Sequence, residues 1–145
     1  MLTVEMIPKT SFFKNLRSEL KGSEWDTIRR AVYKRSNYFC EIEGCGGRGS
    51  KHPVECHEIW DYTGTKQILK GLIALCPKCH MVKHWGLTQL RGQEHIAFAH
   101  LKKVNCWNDQ QANAHIMEAI ALWHARNEVI WKLDISWITS FLKNS

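Results

Sequence analysis

The feature that most limits what this chain can fold into is the placing of four of its six cysteines. Cys40 and Cys45 enclose four residues, Cys76 and Cys79 enclose two, and thirty residues lie between the pairs. Two short-spaced knuckles are the usual means of arranging four thiolates tetrahedrally around one zinc ion. The competing arrangement, two disulfides, belongs to oxidising compartments. The first twenty residues, MLTVEMIPKTSFFKNLRSEL, lack the basic start, long apolar stretch and small-residue cleavage site of a secretory leader, so a cytoplasmic location with reduced thiols is expected. A structural Zn2+ on Cys40, Cys45, Cys76 and Cys79 follows. Four thiolates leave no open position for water, so such an ion does no chemistry, and its binding energy, on the order of 10 kcal/mol, is folding energy. Cys56 and Cys106 stand outside the quartet and read as small apolar residues.

The length of 145 residues predicts one domain with extensions, because a second domain would need a hydrophobic core of its own. No run of 18 apolar residues is present to span a bilayer, and no membrane partner is expected. The net charge of +6 favours a polyanion, since lysines and arginines that neutralise phosphates release condensed counterions.

Residues 1–22 mix apolar and basic side chains without a period and read as an N-terminal arm, punctuated by Pro8 and Gly22. Ser23 and Asp26 resemble a capping box ahead of Trp25, Ile28, Val32 and Tyr33, which recur at helical spacing. A helix over about 24–35 is predicted, with Arg29, Arg30, Lys34 and Arg35 on its polar side. CEIEGCGGRGS is a glycine-rich turn. His52–Trp60 predicts a strand with Val54 and Cys56 on one face and Glu55 and His57 on the other. ILKGLIAL then predicts a second strand or extended segment, and CPKCHMVKHWG a turn entering a helix. In that helix His80 and His84, four residues apart, project from one face and can grip a second metal. These elements make a core over residues 23–90. Residues 91–145 predict a helical C-terminal extension packed on it, with helices over about 92–103 and 109–127 and an apolar stripe of Ile116, Ala119, Ile120 and Trp123. The end, VIWKLDISWITSFL, fits a strand or a short helix equally.

Taken together, CEIEGC, VECHEIW and LCPKCHMVKH resemble the HNH endonucleases, over residues 24–86. The resemblance implies an α+β fold: a small ββα-metal (His-Me finger) core with structural zinc, flanked by N- and C-terminal helices. It implies metal-dependent hydrolysis of DNA phosphodiester bonds, with His57 as general base. His80 and His84 match the family's ligands for a catalytic divalent metal, for which Mg2+, Mn2+, Ni2+ and Zn2+ all remain open. Two positions depart from the pattern. Where the family often has an Asp or His ligand before the general base, this chain has Cys56; strand parity nominates Glu55 as third ligand, with Glu58, Cys56 and Asp61 behind it. The family's asparagine, five positions before the second knuckle, is replaced by Gly71.

Double-stranded DNA is the expected partner. Arg29, Arg30, Lys51, Lys78 and Lys83 are candidates for backbone contacts that position it without reading bases, a solvated charge being the alternative for each. Two other readings stay open. One is a non-catalytic zinc module that binds DNA or a protein. The other is a zinc-stapled RNA-binding or RNA-cutting protein, with Trp60, Trp85 and Trp107 able to stack on unpaired bases. The extension carries no readable motif; its helices could cover the core, touch DNA or join copies into a homo-oligomer.

Overall fold

The computed structural model describes residues 1–144 and is an α+β protein built on a three-stranded sheet of order β1-β2-β3. The centre is an antiparallel hairpin of β1 (Glu55–Thr63) and β2 (Lys66–Leu75), in register from Glu55 opposite Leu75 to Thr63 opposite Lys66. Gly64, at φ +61°, makes the tight connection that a residue with a Cβ adopts only at a cost. A bulge between Ile59 and Trp60 shifts the pairing and increases the local twist. The chain passes from β2 through Cys76 into α3 (Pro77–Lys83), whose proline stands at its first position, where no N–H partner is lost.

The hairpin separates two apolar clusters because successive side chains of a strand point to opposite faces. Leu72 and Ala74 pack with Leu16 of α1 (Leu16–Glu19) and with Trp25, Ile28 and Val32 of α2 (Gly22–Arg35). Ile73 and Leu75 pack with Val82, with Trp85 of α4 (Trp85–Leu90), with Ala97, Leu101 and Val104 of α5 (Glu94–Asn105), and with Ala112 and Ile116 of α6 (Asp109–Arg126). Ile28 is fully buried, so truncating it to alanine should cost about 2–5 kcal/mol.

The helix over 24–35 is α2, but its cap lies earlier than Ser23 and Asp26 suggest. The Glu24 carboxylate accepts the backbone N–H of Lys21, and Asp26 instead pairs with Arg29 at 2.8 Å. Helices near 92–103 and 109–127 form as α5 and α6, each with an acidic residue in its first turn, where the helix dipole favours it. Of the expected stripe on α6 only Ile116 is buried; Ala119 and Ile120 pack half-exposed. The terminal segment resolves its ambiguity by being both: β3 (Lys132–Asp134) pairs parallel with Lys66–Ile68, and α7 (Trp137–Asn144) follows. The arm is more ordered than its lack of period suggests. Leu2 and Val4 are core residues, and the Leu2 backbone makes two hydrogen bonds with Asn105, its N–H donating at 2.8 Å and its carbonyl accepting at 2.7 Å.

Candidate metal centres

The first centre is the cysteine quartet. Cys40 and Cys45 sit in the irregular loop before β1, where the Cys45 N–H turns back to the Ile42 carbonyl at 3.0 Å and the Cys40 N–H donates to Gly47 at 2.8 Å. Gly44 permits the turn at φ +88°, and a Cβ there would lie 2.8 Å from the Val104 carbonyl oxygen. Cys76 caps α3 and Cys79 lies in its first turn. The four Sγ atoms all lie within 4.8 Å of one another, and none is in a disulfide. Four sulfurs held at about 2.3 Å from a tetrahedral ion would stand about 3.8 Å apart; Cys45 and Cys76 stand 3.7 Å apart. The donor set therefore fits a structural metal such as zinc. Hydrogen bonding among the crowded sulfurs drives the Cys76 thiol down and pushes those of Cys40 and Cys79 up, so negative charge gathers on Cys76 unless a cation draws it from the other two. His100 of α5 adds a contact the spacing gives no hint of: its Nε2 lies 3.1 Å from Cys79 Sγ and 4.0 Å from Cys45 Sγ. A ring N–H there would donate to a metal-bound thiolate and tie the extension to the centre.

The second centre lies at the other end of α3. His57 comes from β1, His80 from α3 and His84 from the point where α3 stops, and one ring nitrogen from each falls within 4.8 Å of the others. The ring centroids of His80 and His84 are 4.4 Å apart, and those of His57 lie 5.8 and 5.2 Å from them. His84 is not inside a helix, as the i, i+4 spacing suggested. It is the hinge between α3 and α4, at φ −94° and ψ +54°, although its N–H still bonds the His80 carbonyl at 3.0 Å. Burial lowers the pKa of His57, and His84 is brought down to about 3 by burial and by His80 and His57. Three imidazoles that face one another form a donor set that could hold a metal ion.

Glu55 lies beside this centre in a different place from the one expected. Its Oε2 is 2.6 Å from His80 Nδ1, and this hydrogen bond holds the Glu55 carboxyl below the usual range. A carboxylate on Nδ1 leaves Nε2 as the ring nitrogen free to bind an ion, the arrangement common behind metal-bound histidines. Parity on β1 puts Glu55 on the side of His57, but its carboxylate meets His80 Nδ1 and lies outside the histidine triad. Cys56 faces away, into the α2 cluster, and burial pushes its thiol up to about 12. Glu58 accepts the Leu16 N–H at 3.3 Å, and Asp61 bonds its own neighbours, so neither reaches the histidines.

The basic residues divide. Arg30, Lys51 and Lys78 are exposed. Arg29 is tied to Asp26. Lys83 is not available to a DNA backbone: it is buried, with its Nζ donating to Thr3 Oγ1 at 2.8 Å and to Glu5 Oε1 at 2.9 Å. An ammonium that is desolvated needs this kind of pairing. Glu5 was invisible to spacing arguments, and it stands next to His57, with Oε2 3.7 Å from Nε2. Burial works to raise its pKa, but His57 and Lys83 outweigh that and hold it at about 2.

No helix among the described residues is long and apolar enough to cross a membrane. No family model, no curated protein and no solved structure matches the chain.

Proposed function

We propose that the chain is a metal-dependent endonuclease of the HNH type that hydrolyses DNA phosphodiester bonds. The observation that carries this reading is the convergence of His57, from a hairpin strand, on His80 of the helix that carries the second cysteine knuckle and on His84 at that helix's end. In this reading His80 and His84 hold a divalent metal, with His80 aligned by Glu55. When bound, the ion supplies Lewis acidity to the scissile phosphate and the departing 3′ oxygen. His57 does the proton chemistry. Burial keeps its imidazole neutral near pH 7, so it can accept a proton from an attacking water. The cysteine quartet keeps the start of α3 in place, so that the distance between His57 and His80 does not depend on the apolar clusters alone.

Support for a polyanionic substrate comes from the net charge of +6 and from Arg30, Lys51 and Lys78, which lie exposed on the same chain. A second reading, a non-catalytic zinc module that binds DNA or a protein, draws on two positions. Gly71 offers no side chain where the family has asparagine, and Cys56 faces apolar residues where the family often has a ligand.

Plasmid nicking separates the two. Purified protein with added Mg2+, Mn2+, Ni2+ or Zn2+ should convert supercoiled DNA to open circles, and His57→Ala should slow this by about 100-fold or more with its circular dichroism unchanged. Parental protein that shifts DNA on a gel without cutting it under any of these metals would leave the binding module as the correct reading.

A further inference from the structure

The structure assigns Glu5, delivered by the N-terminal arm, as the positioning residue for His57: its carboxylate fixes the imidazole as the Nε2–H tautomer and leaves Nδ1 as the proton acceptor. This rests on the reading of His57 as a base.

Three observations carry it. Glu5 Oε2 faces Nε2, not Nδ1, at 3.7 Å, and such contacts in resting sites are often long and tighten when substrate is engaged. The other carboxylate oxygen is anchored: Glu5 Oε1 takes hydrogen bonds from Lys83 Nζ at 2.9 Å and Thr3 Oγ1 at 2.9 Å, and Lys83 is itself buried. The backbone is fixed as well, with the Glu5 N–H donating to the Lys83 carbonyl at 3.3 Å and the Val4 N–H to His115 at 2.9 Å. A charged group held at three points beside the most buried imidazole of the centre is a built arrangement. It repeats the relation of Glu55 to His80, one carboxylate behind each ring. In the reaction, the O–H bond of the attacking water breaks as its proton bonds to Nδ1, the water oxygen bonds to phosphorus, and the P–O3′ bond breaks, the 3′ oxygen taking a proton from solvent. The Nε2 proton stays where it is, and the resulting imidazolium charge lies against the Glu5 carboxylate.

The tautomer is read directly by long-range proton–nitrogen NMR correlations of the His57 ring, in the full chain with zinc on the cysteines. His57→Asn assigns the signals. Parental protein should show protonation at Nε2. Glu5→Ala should move the tautomer ratio toward Nδ1–H by about tenfold, the worth of one hydrogen bond to a charged group. Glu5→Gln, whose amide oxygen still accepts, should keep the parental form. Asn105→Ala loosens the arm at Leu2 without touching the carboxylate, and should also keep it. An unchanged ratio in Glu5→Ala overturns the assignment, as does an equal shift in Asn105→Ala, which would make docking of the arm the cause. The readout is independent of cleavage, so a chain that fails to nick DNA would remove the proposed function and leave the tautomer result standing.

Discussion

The two centres sit at opposite ends of one short helix and are built on opposite principles. The cysteine quartet takes all its donors from two local knuckles, buries Cys40, Cys76 and Cys79, and closes on itself with four sulfurs. The histidine centre gathers donors from a strand, a helix and a hinge, leaves His80 28% exposed in its side chain, and surrounds its rings with carboxylates from Glu55 and Glu5. A closed set of thiolates is suited to holding a fold, and an open set of oriented imidazoles to doing chemistry. The difference teaches that removing a ligand should have unlike consequences at the two ends of α3.

The largest effect should come from the cysteines. Cys76→Ser removes a thiolate while its hydroxyl can still cap α3 by accepting the Cys79 N–H that Cys76 Sγ takes at 3.5 Å, so the loss falls on the metal site and not on the cap. Zinc content by elemental analysis should fall to near zero, and the cooperative unfolding transition should disappear, because binding energy on the order of 10 kcal/mol exceeds the net stability of many domains. A Cys76→Ser chain that unfolds within a few degrees of the parental one would break the contrast by making the quartet dispensable.

At the histidine centre the corresponding change should be local. Glu55→Ala leaves all three imidazoles but frees the His80 ring to rotate, and loss of such an orienting partner weakens metal binding by about 10–100-fold. Calorimetric titration with Mn2+ or Zn2+ into protein already loaded at the cysteines should show this weakening, with the unfolding temperature of the metal-free second centre nearly unmoved. Equal affinity in Glu55→Ala would mean that the carboxylate orients nothing.

The same division governs what could be seen in the sequence. The knuckles are local, so their spacing alone was enough to group the four cysteines. Strand parity put His57 and Glu55 on one face and Cys56 on the other, because the period of a strand is two. Glu5 was hidden. Its partners are 52 and 78 positions away, the segment TVEMIP has no period, and only the folded arm brings the carboxylate to His57. Lys83 was misread for the same reason: a lysine between two histidines reads as a surface charge until the arm covers it. His100 is an unremarkable helix residue until α5 packs across α3 and sets its ring against Cys79. The parallel pairing of β3 spans only Lys132–Asp134, too few residues for alternation to distinguish a strand from a helix start. His84 breaks its helix without proline or glycine at that position, so the spacing to His80 survives while the helix does not.

The smallest effect should come from acid, at a contact that holds the arm next to Glu5 and the histidine centre. The Val4 N–H donates to His115 Nε2 at 2.9 Å, which requires a neutral ring with its proton on Nδ1. Burial lowers the His115 pKa in the folded chain; Glu118 and Glu5 oppose this and Lys83 reinforces it. With the folded pKa below the unfolded value near 6.5, the unfolded chain binds more protons in acid. The contribution of this contact is therefore complete above pH 6.5 and is lost as pH falls through the folded pKa. Hydrogen exchange at the Val4 amide, expressed as a protection factor, should drop by about fivefold between neutral pH and acid, since one hydrogen bond is worth about 1 kcal/mol. In His115→Gln the amide oxygen accepts without titrating, so protection should stay level across the same range. Protection that falls equally in His115→Gln would trace the acid response to other groups and remove the titrating link between the arm and the histidine centre.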